Sequence, residues 1–299
     1  MNTSPTVESA FTSSHDLEIA QAREYYVVQH NDLVQKQRFT MDTPGNSLSV
    51  TEEKIFAYII SQIKPGATAL EPIILDIKTF CEVCGLARGR TANYYLFVKN
   101  AIKKLADRSW WYTDPETDEE SLIRYIEDPV IKRGNLEKHT KGSGKVVIQI
   151  HKKLSRYLLD LTGDYFQFSY HNILAMKSKY GIRLYKLLKS YYYMHPRLKF
   201  SIDDLKMHLD ATSYKEFKRF KEKVLIPALR DINTYSDLVV TVEYVKTGRN
   251  YTHIVFSMKD LEKAQTPEAI EEAQRRYLNT EREIDPDQLV IDGYLGGML

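Results

Sequence analysis

The sequence is poor in cysteine and has no long apolar run, and both absences narrow the class of protein. Only two of its 299 residues are cysteine, which argues against a disulfide scaffold and fits a reducing cytosol. No apolar run reaches the roughly 18 residues of a transmembrane helix, and the N-terminal residues lack the basic and apolar regions of a signal peptide. We therefore expect a cytoplasmic protein that has no membrane partner.

Patterns typical of metal and catalytic sites are also missing. Cys81 and Cys84 form a single CxxC without a second pair, whereas zinc requires further ligands at suitable spacing. Residues 142–145 read Gly-Ser-Gly-Lys but lack the earlier glycine and the following hydroxyl of a phosphate-binding loop. None of the eight histidines forms the His-x-His pair of a metal-dependent nicking enzyme. We therefore expect no cofactor, no metal and no catalytic residue, although sites that assemble only in the tertiary structure leave no such pattern.

Charge of either sign is nearly balanced over the whole chain. The formal net charge is only +2, so a DNA-binding surface would have to arise from local clustering of basic residues. The length of 299 residues favours two domains that each have a core of their own. The informative features are therefore local.

The second half of the chain carries two helices separated by a turn. Ser201 and Asp204 have the spacing of a helix start, and the apolar residues behind them recur at helical spacing. Ser213 and Glu216 form a capping box, which predicts that a second helix covers 214–223.

The predicted second helix has an apolar face and a basic face. Phe217, Phe220 and Val224 recur at helical spacing on one side. Between Thr212 and Lys223 there are five basic and two acidic residues. Such a helix is either a capped surface helix with a solvated charged face or a helix that binds nucleic acid.

A basic hairpin after this helix favours the second interpretation. Alternating stretches at 238–245 and 251–257 predict two strands, and Lys246 and Arg249 lie in the connection between them. Helix, turn, basic helix and basic hairpin is the plan of a winged helix, whose wing lies where it can contact the phosphate backbone.

The first half of the chain repeats this plan. A capping box of Ser49 and Glu52 opens one helix, and further helices are predicted from Ile77 and from about Thr91. The β-like stretches that follow are 109–113, 121–127 and 145–150, with a basic connection at 131–145.

These patterns predict an α+β protein of two tandem winged-helix domains joined by a short helix around 151–161. A long helix over 172–193 is expected to open the second half. The expected boundaries are a disordered arm over 1–24, a first domain over 25–162, a second and mainly base-reading domain over 163–260, and a C-terminal helix and tail over 261–299.

Three stretches resemble the iteron-binding initiator replication proteins of theta-replicating bacterial plasmids. They are Val27-Val-Gln-His-Asn-Asp-Leu-Val34, Ser178-Lys-Tyr-Gly-Ile-Arg-Leu-Tyr185 and Thr247-Gly-Arg-Asn-Tyr-Thr-His-Ile-Val-Phe256. The resemblance covers about 25–260 and implies binding to direct repeats in double-stranded DNA at a plasmid origin. It also implies opening of adjacent A·T-rich DNA, recruitment of the host initiator and replicative helicase, and a monomer–dimer equilibrium in which dimers repress their own promoter.

The resemblance also implies which residues bind DNA. In the family the second domain's recognition helix, here 214–223, makes most base contacts, and its wing matches 246–250. The matching parts of the first domain are the helix from Thr91 and the loop 131–145. The predicted DNA-binding residues are Lys215, Lys218, Arg219, Lys221, Glu222, Lys223, Lys246, Arg249, Asn250, Arg88, Arg90, Asn93, Lys103, Lys132 and Arg133.

Residue chemistry divides these candidates into two groups. Lys215, Lys218 and Arg219 can reach guanine O6 and N7 or a phosphate, and Glu222 can accept a hydrogen bond from cytosine N4. The remaining basic residues of the wing and of the first domain would contact phosphates, which position the protein without specifying sequence. Two other functions remain open at this point: an origin-nicking relaxase, and a winged-helix transcription regulator with no role in replication.

Overall fold

The chain folds into helices and short antiparallel strands. A computed structural model describes residues 26–260 apart from 38–46, 65, 78–79, 81–93, 114–116, 118, 133–144, 160 and 162. Its first part comprises β1 (Tyr26–His30), α1 (Asp32–Gln35), α2 (Val50–Ser61), β2 (Ile73–Asp76), α3 (Tyr94–Asp107), β3 (Ser109–Thr113), β4 (Glu120–Arg124), β5 (Ile126–Lys132) and β6 (Lys145–Ile150). A 3₁₀ turn (Lys152–Leu154) and α4 (Ser155–Leu158) lead to β7 (Tyr165–Ser169).

The second part begins after β7 and ends at Asp260. Its elements are α5 (His171–Leu174), α6 (Lys179–Tyr192), β8 (Arg197–Ser201), α7 (Ile202–His208), α8 (Phe217–Phe220), a π-helical turn (Lys221–Leu225), α9 (Ile226–Tyr235), β9 (Leu238–Thr247) and β10 (Asn250–Asp260). The backbone stays helical from α8 through the π turn into α9, and we refer to this segment as the 217–235 helix.

Two three-stranded sheets share one strand order. In each, the first strand along the chain pairs with the last, and the last pairs with the middle one, which gives β2–β6–β5 and β8–β10–β9. A helix precedes the first strand of each sheet, and further helical segments lie between the first and middle strands. This is the winged-helix topology, so the prediction of an α+β protein with two winged-helix units in tandem is confirmed. We call 50–150 the first unit and 179–260 the second unit.

One predicted strand of the first unit is two strands. The sequence pattern predicts a single strand over 121–127, whereas β4 ends at Arg124 and pairs with β3, and β5 begins at Ile126 and pairs with β6. Tyr125 lies between them and is buried, with its ring against Phe56 at a centroid distance of 4.8 Å. Burial of Tyr125 raises the pKa of its hydroxyl to about 12. The chain changes sheets at this anchored residue.

The capping box at the start of α2 is confirmed. The Ser49 hydroxyl accepts a hydrogen bond from the Glu52 amide at 3.4 Å, and the Glu52 carboxylate accepts one from the Ser49 amide at 3.0 Å. The same helix buries Ile55 and Ile59, as its spacing predicts.

The long helix predicted over 172–193 is confirmed over Lys179–Tyr192, but its predicted first part is wrong, because the chain turns between α5 and α6. The Asp231 carboxylate of α9 accepts hydrogen bonds from the amides of Lys177 at 2.9 Å and Ser178 at 2.7 Å. These two amides therefore attach the start of α6 to α9 instead of donating hydrogen bonds within one continuous helix. Gly181 allows the close approach, since a Cβ there would lie 3.0 Å from the Cβ of Asp231.

A buried ionic cluster joins the second unit to the first. Lys186 of α6 donates to a Glu53 carboxylate oxygen at 2.6 Å, and Arg183 lies 3.5 Å from the other oxygen. The same guanidinium donates to the carbonyl of His208 at 3.3 Å. All three charged side chains are buried. We call Glu53, Arg183 and Lys186 the junction cluster.

A second contact between the units involves a residue in the left-handed region. Asp210 follows α7 with a φ of 53°. Its carboxylate accepts from the Ser47 hydroxyl at 2.6 Å and the Ser47 amide at 3.2 Å, and the Lys179 ammonium lies 3.7 Å away. The turn after α7 is therefore fixed against the chain that leads into α2.

The connection between the units is shorter than the helix predicted around 151–161. The 3₁₀ turn and α4 end at Leu158, and Leu159 adopts an extended conformation. The chain then reaches β7, which pairs with β1 over its whole length. This pairing requires the chain to turn back, which a longer helix would prevent.

Several expectations concern residues outside the described part. They are the arm over 1–24, the tail over 261–299, the CxxC cysteines and most of the helix predicted from Ile77. The domain boundary placed between 162 and 163 stays a prediction. No helix within the described ranges is long and apolar enough to cross a membrane.

Replacing Glu53 by Gln should destabilise the protein strongly. The amide cannot neutralise the Lys186 ammonium, and removing one partner of a buried ion pair costs about 3–5 kcal/mol. Urea denaturation monitored by circular dichroism measures the change in the free energy of unfolding. The matched control is Glu243→Gln, because Glu243 forms an exposed pair with Arg197 at 3.0 Å, and exposed pairs contribute about 0–1 kcal/mol. Equal losses in the two variants would contradict a structural role for the junction cluster.

Gly181→Ala should destabilise the protein by about 1–3 kcal/mol, the usual cost of overpacking. Helix propensity alone predicts the opposite sign, since alanine is favoured over glycine in a helix by about 1 kcal/mol. The same denaturation measurement decides between the two signs. A double-mutant cycle with Asp231→Gly should show a coupling free energy, and a stabilising effect of Gly181→Ala in the wild-type background would show that the contact is not restrictive.

Candidate nucleic-acid interface

The basic helix of the second unit begins later than its sequence predicts. The capping box at Ser213 is wrong, because helical backbone starts at Phe217 and the preceding Glu216 makes no side-chain cap. The Tyr214 amide instead donates to the carbonyl of Ala211 at 3.1 Å. The chain before the helix is thus occupied by a turn.

Contacts on both sides hold this turn in place. The Lys206 ammonium donates to the carbonyl of Lys215 at 3.4 Å. The ring of Tyr214 contacts that of Tyr180 edge to face, with a centroid distance of 6.5 Å. Lys215 is therefore exposed in the turn before the helix rather than on its basic face.

The 217–235 helix has the two faces that the sequence predicts. Its inner face is buried and consists of Phe220, Val224, Leu225, Ala228 and Ile232. Its outer face is exposed and includes Lys218, Arg219, Glu222 and Lys223. Arg219 lies 3.7 Å from Glu216, but both side chains are about three-quarters exposed, 74% and 71%, so this pair contributes little and leaves the guanidinium available.

The helix continues beyond the range that the sequence assigns to it. It extends to Tyr235, and its outer face therefore also includes the exposed residues Ile226 and Arg230. Near its C-terminal end Asn233 exchanges two hydrogen bonds with the backbone of Val240, at 2.7 and 3.0 Å. The end of the helix is thus attached to β9. Sequence reasoning stopped at Lys223, although the continuing apolar periodicity through Ile232 could have extended the helix.

The wing is longer and its turn tighter than predicted. Only Gly248 and Arg249 form the turn, and Lys246, Thr247 and Asn250 belong to the strands. Gly248 has a φ of 63°, which glycine adopts without strain. The predicted phosphate-contacting residues Lys246 and Arg249 and their neighbour Asn250 are exposed at this end of the hairpin.

An aromatic cluster attaches the wing to the start of the helix. Phe217 stacks on Tyr251 at a centroid distance of 4.6 Å and contacts Tyr244 edge to face at 5.6 Å. The pKa of Tyr244 is raised, first by burial and then by the nearby Tyr251. We call Phe217, Tyr244 and Tyr251 the wing cluster. Sequence reasoning missed it, because the three residues meet only when the hairpin folds back on the helix.

Two of the predicted DNA-binding lysines lie on these rings. The Lys221 ammonium is 4.4 Å from the centroid of Tyr244, and the Lys246 ammonium is 4.6 Å from that of Tyr251. Cation–π contacts at such distances hold an ammonium group in place by about 0.5–1 kcal/mol at exposed sites. The structure thus places basic residues of the helix and basic residues of the wing on one set of aromatic rings.

Fewer candidates of the first unit can be placed. Lys103 is exposed on α3. Lys132 lies in β5 opposite Lys145 of β6. Arg88, Arg90, Asn93 and Arg133 lie outside the described residues. Among the residues that are described, no group of three or more His, Cys, Asp or Glu side chains could hold a metal ion.

Comparison with known proteins agrees with the geometry. A structural comparison finds the crystal structure of the Pi initiator protein in complex with iteron DNA, with a TM-score of 0.63 and 16% identity, covering 80% of this chain and 99% of that one. At this level of identity the likeness establishes the fold alone. A replication initiation protein of Escherichia coli is 25% identical over an alignment of 179 residues that covers 57% of this chain and 55% of the relative. The alignment thus spans about half the length of that relative.

Family profiles match both units. The profile described as initiator replication protein, WH1, matches residues 26–189. The profile described as initiator Rep protein, WH2, matches residues 201–258. The first match alone covers more than half of the chain, and the two matches together cover the whole first unit and most of the second. The chain therefore belongs to the family of initiator replication proteins.

Proposed function

We propose that this protein initiates plasmid replication by binding direct repeats in double-stranded DNA at the origin. The observation that carries the proposal is the outer face of the 217–235 helix, where Lys218, Arg219 and Lys223 are exposed while the opposite face is core. A helix of this width fits the major groove of B-DNA. The related Pi initiator was crystallised with iteron DNA, which supports the same class of ligand here.

Base recognition is assigned to the helix and positioning to the wing. The Arg219 guanidinium can donate two parallel hydrogen bonds to O6 and N7 of guanine, and the Glu222 carboxylate can accept from N4 of cytosine. Lys246 and Arg249 would contact phosphates beside the groove, which fixes the register of the helix. The wing cluster holds the residues of the helix and those of the wing at a constant distance from each other, so binding needs little reorganisation.

The two units are proposed to contact one face of the duplex in successive major grooves, about one helical turn or ~10 bp apart. The junction cluster and the Asp210–Ser47 contact hold the units against each other. Rigid spacing allows one protein to bind a repeat longer than a single winged helix can cover. Opening of adjacent A·T-rich DNA would then draw on binding energy and DNA deformation rather than on ATP.

The proposal extends to partners and regulation. We propose, as the resemblance to the family implies, that the protein recruits the host initiator and replicative helicase, and that a dimer represses the promoter while the monomer binds repeats. The protein is proposed to act without catalysis. A nicking assay with magnesium on supercoiled plasmid tests the relaxase alternative, which predicts an open-circular product. A plasmid carrying only this reading frame and its upstream repeats tests the regulator alternative, which predicts no autonomous replication.

Arg219→Ala should lower the affinity of the protein for the DNA repeat that it recognises far more than its affinity for random duplex DNA. Loss of a bidentate base contact costs about 1–3 kcal/mol at the cognate site, whereas random DNA does not hold a guanine at a defined position opposite Arg219. Fluorescence anisotropy with both duplexes measures the ratio of dissociation constants. Arg197→Ala is the control, because Arg197 is an exposed arginine on β8 outside the basic helix and should leave the ratio unchanged. An equal loss on both duplexes would show that Arg219 contacts only the backbone.

Lys246→Ala should weaken binding to all sequences by a similar factor and reduce its salt dependence. Each phosphate contact contributes about 0.9 to the slope of log K against log salt concentration, so the slope should fall by about one. Titrations at several salt concentrations give this slope. Lys259→Ala is the control, since Lys259 is exposed on the partner strand β10, at the end remote from the wing turn. An unchanged slope for Lys246→Ala would show that the wing does not contact DNA phosphates.

A further inference from the structure

An exposed isoleucine interrupts the charged outer face of the 217–235 helix. Ile226 is 42% exposed, whereas its neighbour Leu225 is fully buried. Glu222 precedes Ile226 by about one turn and Arg230 follows it by about one turn, and both are exposed. Ile226 thus lies in the row of residues that would point into a major groove.

The surroundings distinguish this residue from other exposed apolar side chains. Single apolar residues on a protein surface are common and usually have no function. Ile226, however, lies between the exposed basic residues Lys223 and Arg230 on the helix proposed to bind DNA. A charged face that contacts a polyanion places any apolar member of the same row against base edges.

The backbone around Ile226 is also unusual. Its amide donates to the carbonyl of Lys221, five residues earlier, which closes the π-helical turn. Such turns are rare and occur often at functional sites, since the extra residue costs regular hydrogen bonding. Here the extra residue lies on the helix between Arg219 and Ile226 and changes the angle at which later side chains leave the axis.

We propose that Ile226 contacts the C5-methyl group of a thymine in the major groove and specifies a T·A pair at one position of the repeat. The inference rests on the proposed function. The thymine methyl is the apolar group on the major-groove edges of the four bases. Thymine O4 and guanine O6 are both acceptors, so a donor that makes only one hydrogen bond does not distinguish these two bases. An apolar side chain beside the methyl group adds that distinction.

The test removes the methyl group from the DNA and the side chain from the protein. The full-length protein first selects its preferred site from a random duplex library. Each thymine of the selected site is then replaced, one at a time, by deoxyuridine, which lacks only the C5-methyl. Wild-type protein should bind one of these duplexes about four-fold more weakly, the effect of losing one buried methyl group. Ile226→Ala should bind the unmodified site more weakly and should no longer distinguish it from that duplex.

Two control variants separate recognition from folding. Ile226→Val keeps a branched apolar side chain and should retain sensitivity to deoxyuridine. Met194→Ala removes another exposed apolar side chain, 73% exposed and outside the helix, and should behave as wild type. Thermal unfolding of all variants should agree within a few degrees, because surface substitutions change stability little.

Two results would overturn the inference while leaving the proposed function in place. Wild-type protein could select a defined sequence and yet be indifferent to every deoxyuridine substitution. Alternatively, Ile226→Ala could remain as sensitive as wild type, which would assign the methyl contact to another residue. Failure to enrich any duplex sequence would instead contradict the proposed function and the inference together.

Discussion

Three charges that are buried together, on Glu53, Arg183 and Lys186, fix how the two winged helices meet. A buried charge is tolerated only when it is paired and hydrogen-bonded, so sliding or rotating one unit against the other would expose the cluster or leave a charge alone. Glu53 is a residue of the first unit, but its carboxylate stabilises both units because its two ion-pair partners lie in the second unit. A protein that binds a repeat through two helices depends on such a fixed separation.

The helix α6 connects this constraint to the proposed DNA surface. Asp231 attaches the 217–235 helix to the two residues just before α6 through their backbone amides. Near the other end of α6, Lys189 donates to Asp237 at 2.6 Å and to Asp260 at 2.7 Å, which attaches the ends of the wing strands. Tyr185 donates to Asp237 as well, at 2.7 Å, and burial raises the pKa of its hydroxyl. The 217–235 helix, the wing and the first unit are thus all attached to the single helix α6.

The proposed interface consists of exposed basic side chains on an aromatic and aliphatic support. The wing cluster places aromatic rings beneath Lys221 and Lys246, and the core holds the inner face of the helix. The ends of the basic side chains remain in solvent. In the proposed complex these groups would exchange water for phosphate, and sequence recognition would depend on the few outward residues that reach base edges.

Much of the fold could be predicted from local pattern. Capping at Ser49 and Ser201, apolar spacing along the helices, and alternation in β9 and β10 are interactions among residues close in the chain, and the structure agrees with them. The alternation of Leu198 and Phe200 with Arg197 and Lys199 also indicates β8. This strand was not predicted, because the segment follows directly on the expected end of a helix. The basic face of the helix was likewise visible, because its residues follow one another at helical spacing.

Other features depend on partners that are remote in sequence. At Ser213 a capping pattern was present, but the backbone of Tyr214 bonds to Ala211 and the helix starts later. The break before Lys179 follows from Asp231, more than fifty residues away, and the change of sheet at Tyr125 follows from its burial against Phe56. Arg183 and Lys186 look like surface residues in the sequence. Local pattern is therefore sufficient to locate most helices and strands and the clusters of basic residues. Where the helices begin, which charges are buried and how the units are joined depend on desolvation and on contacts between distant segments, so these features emerge only in the folded chain.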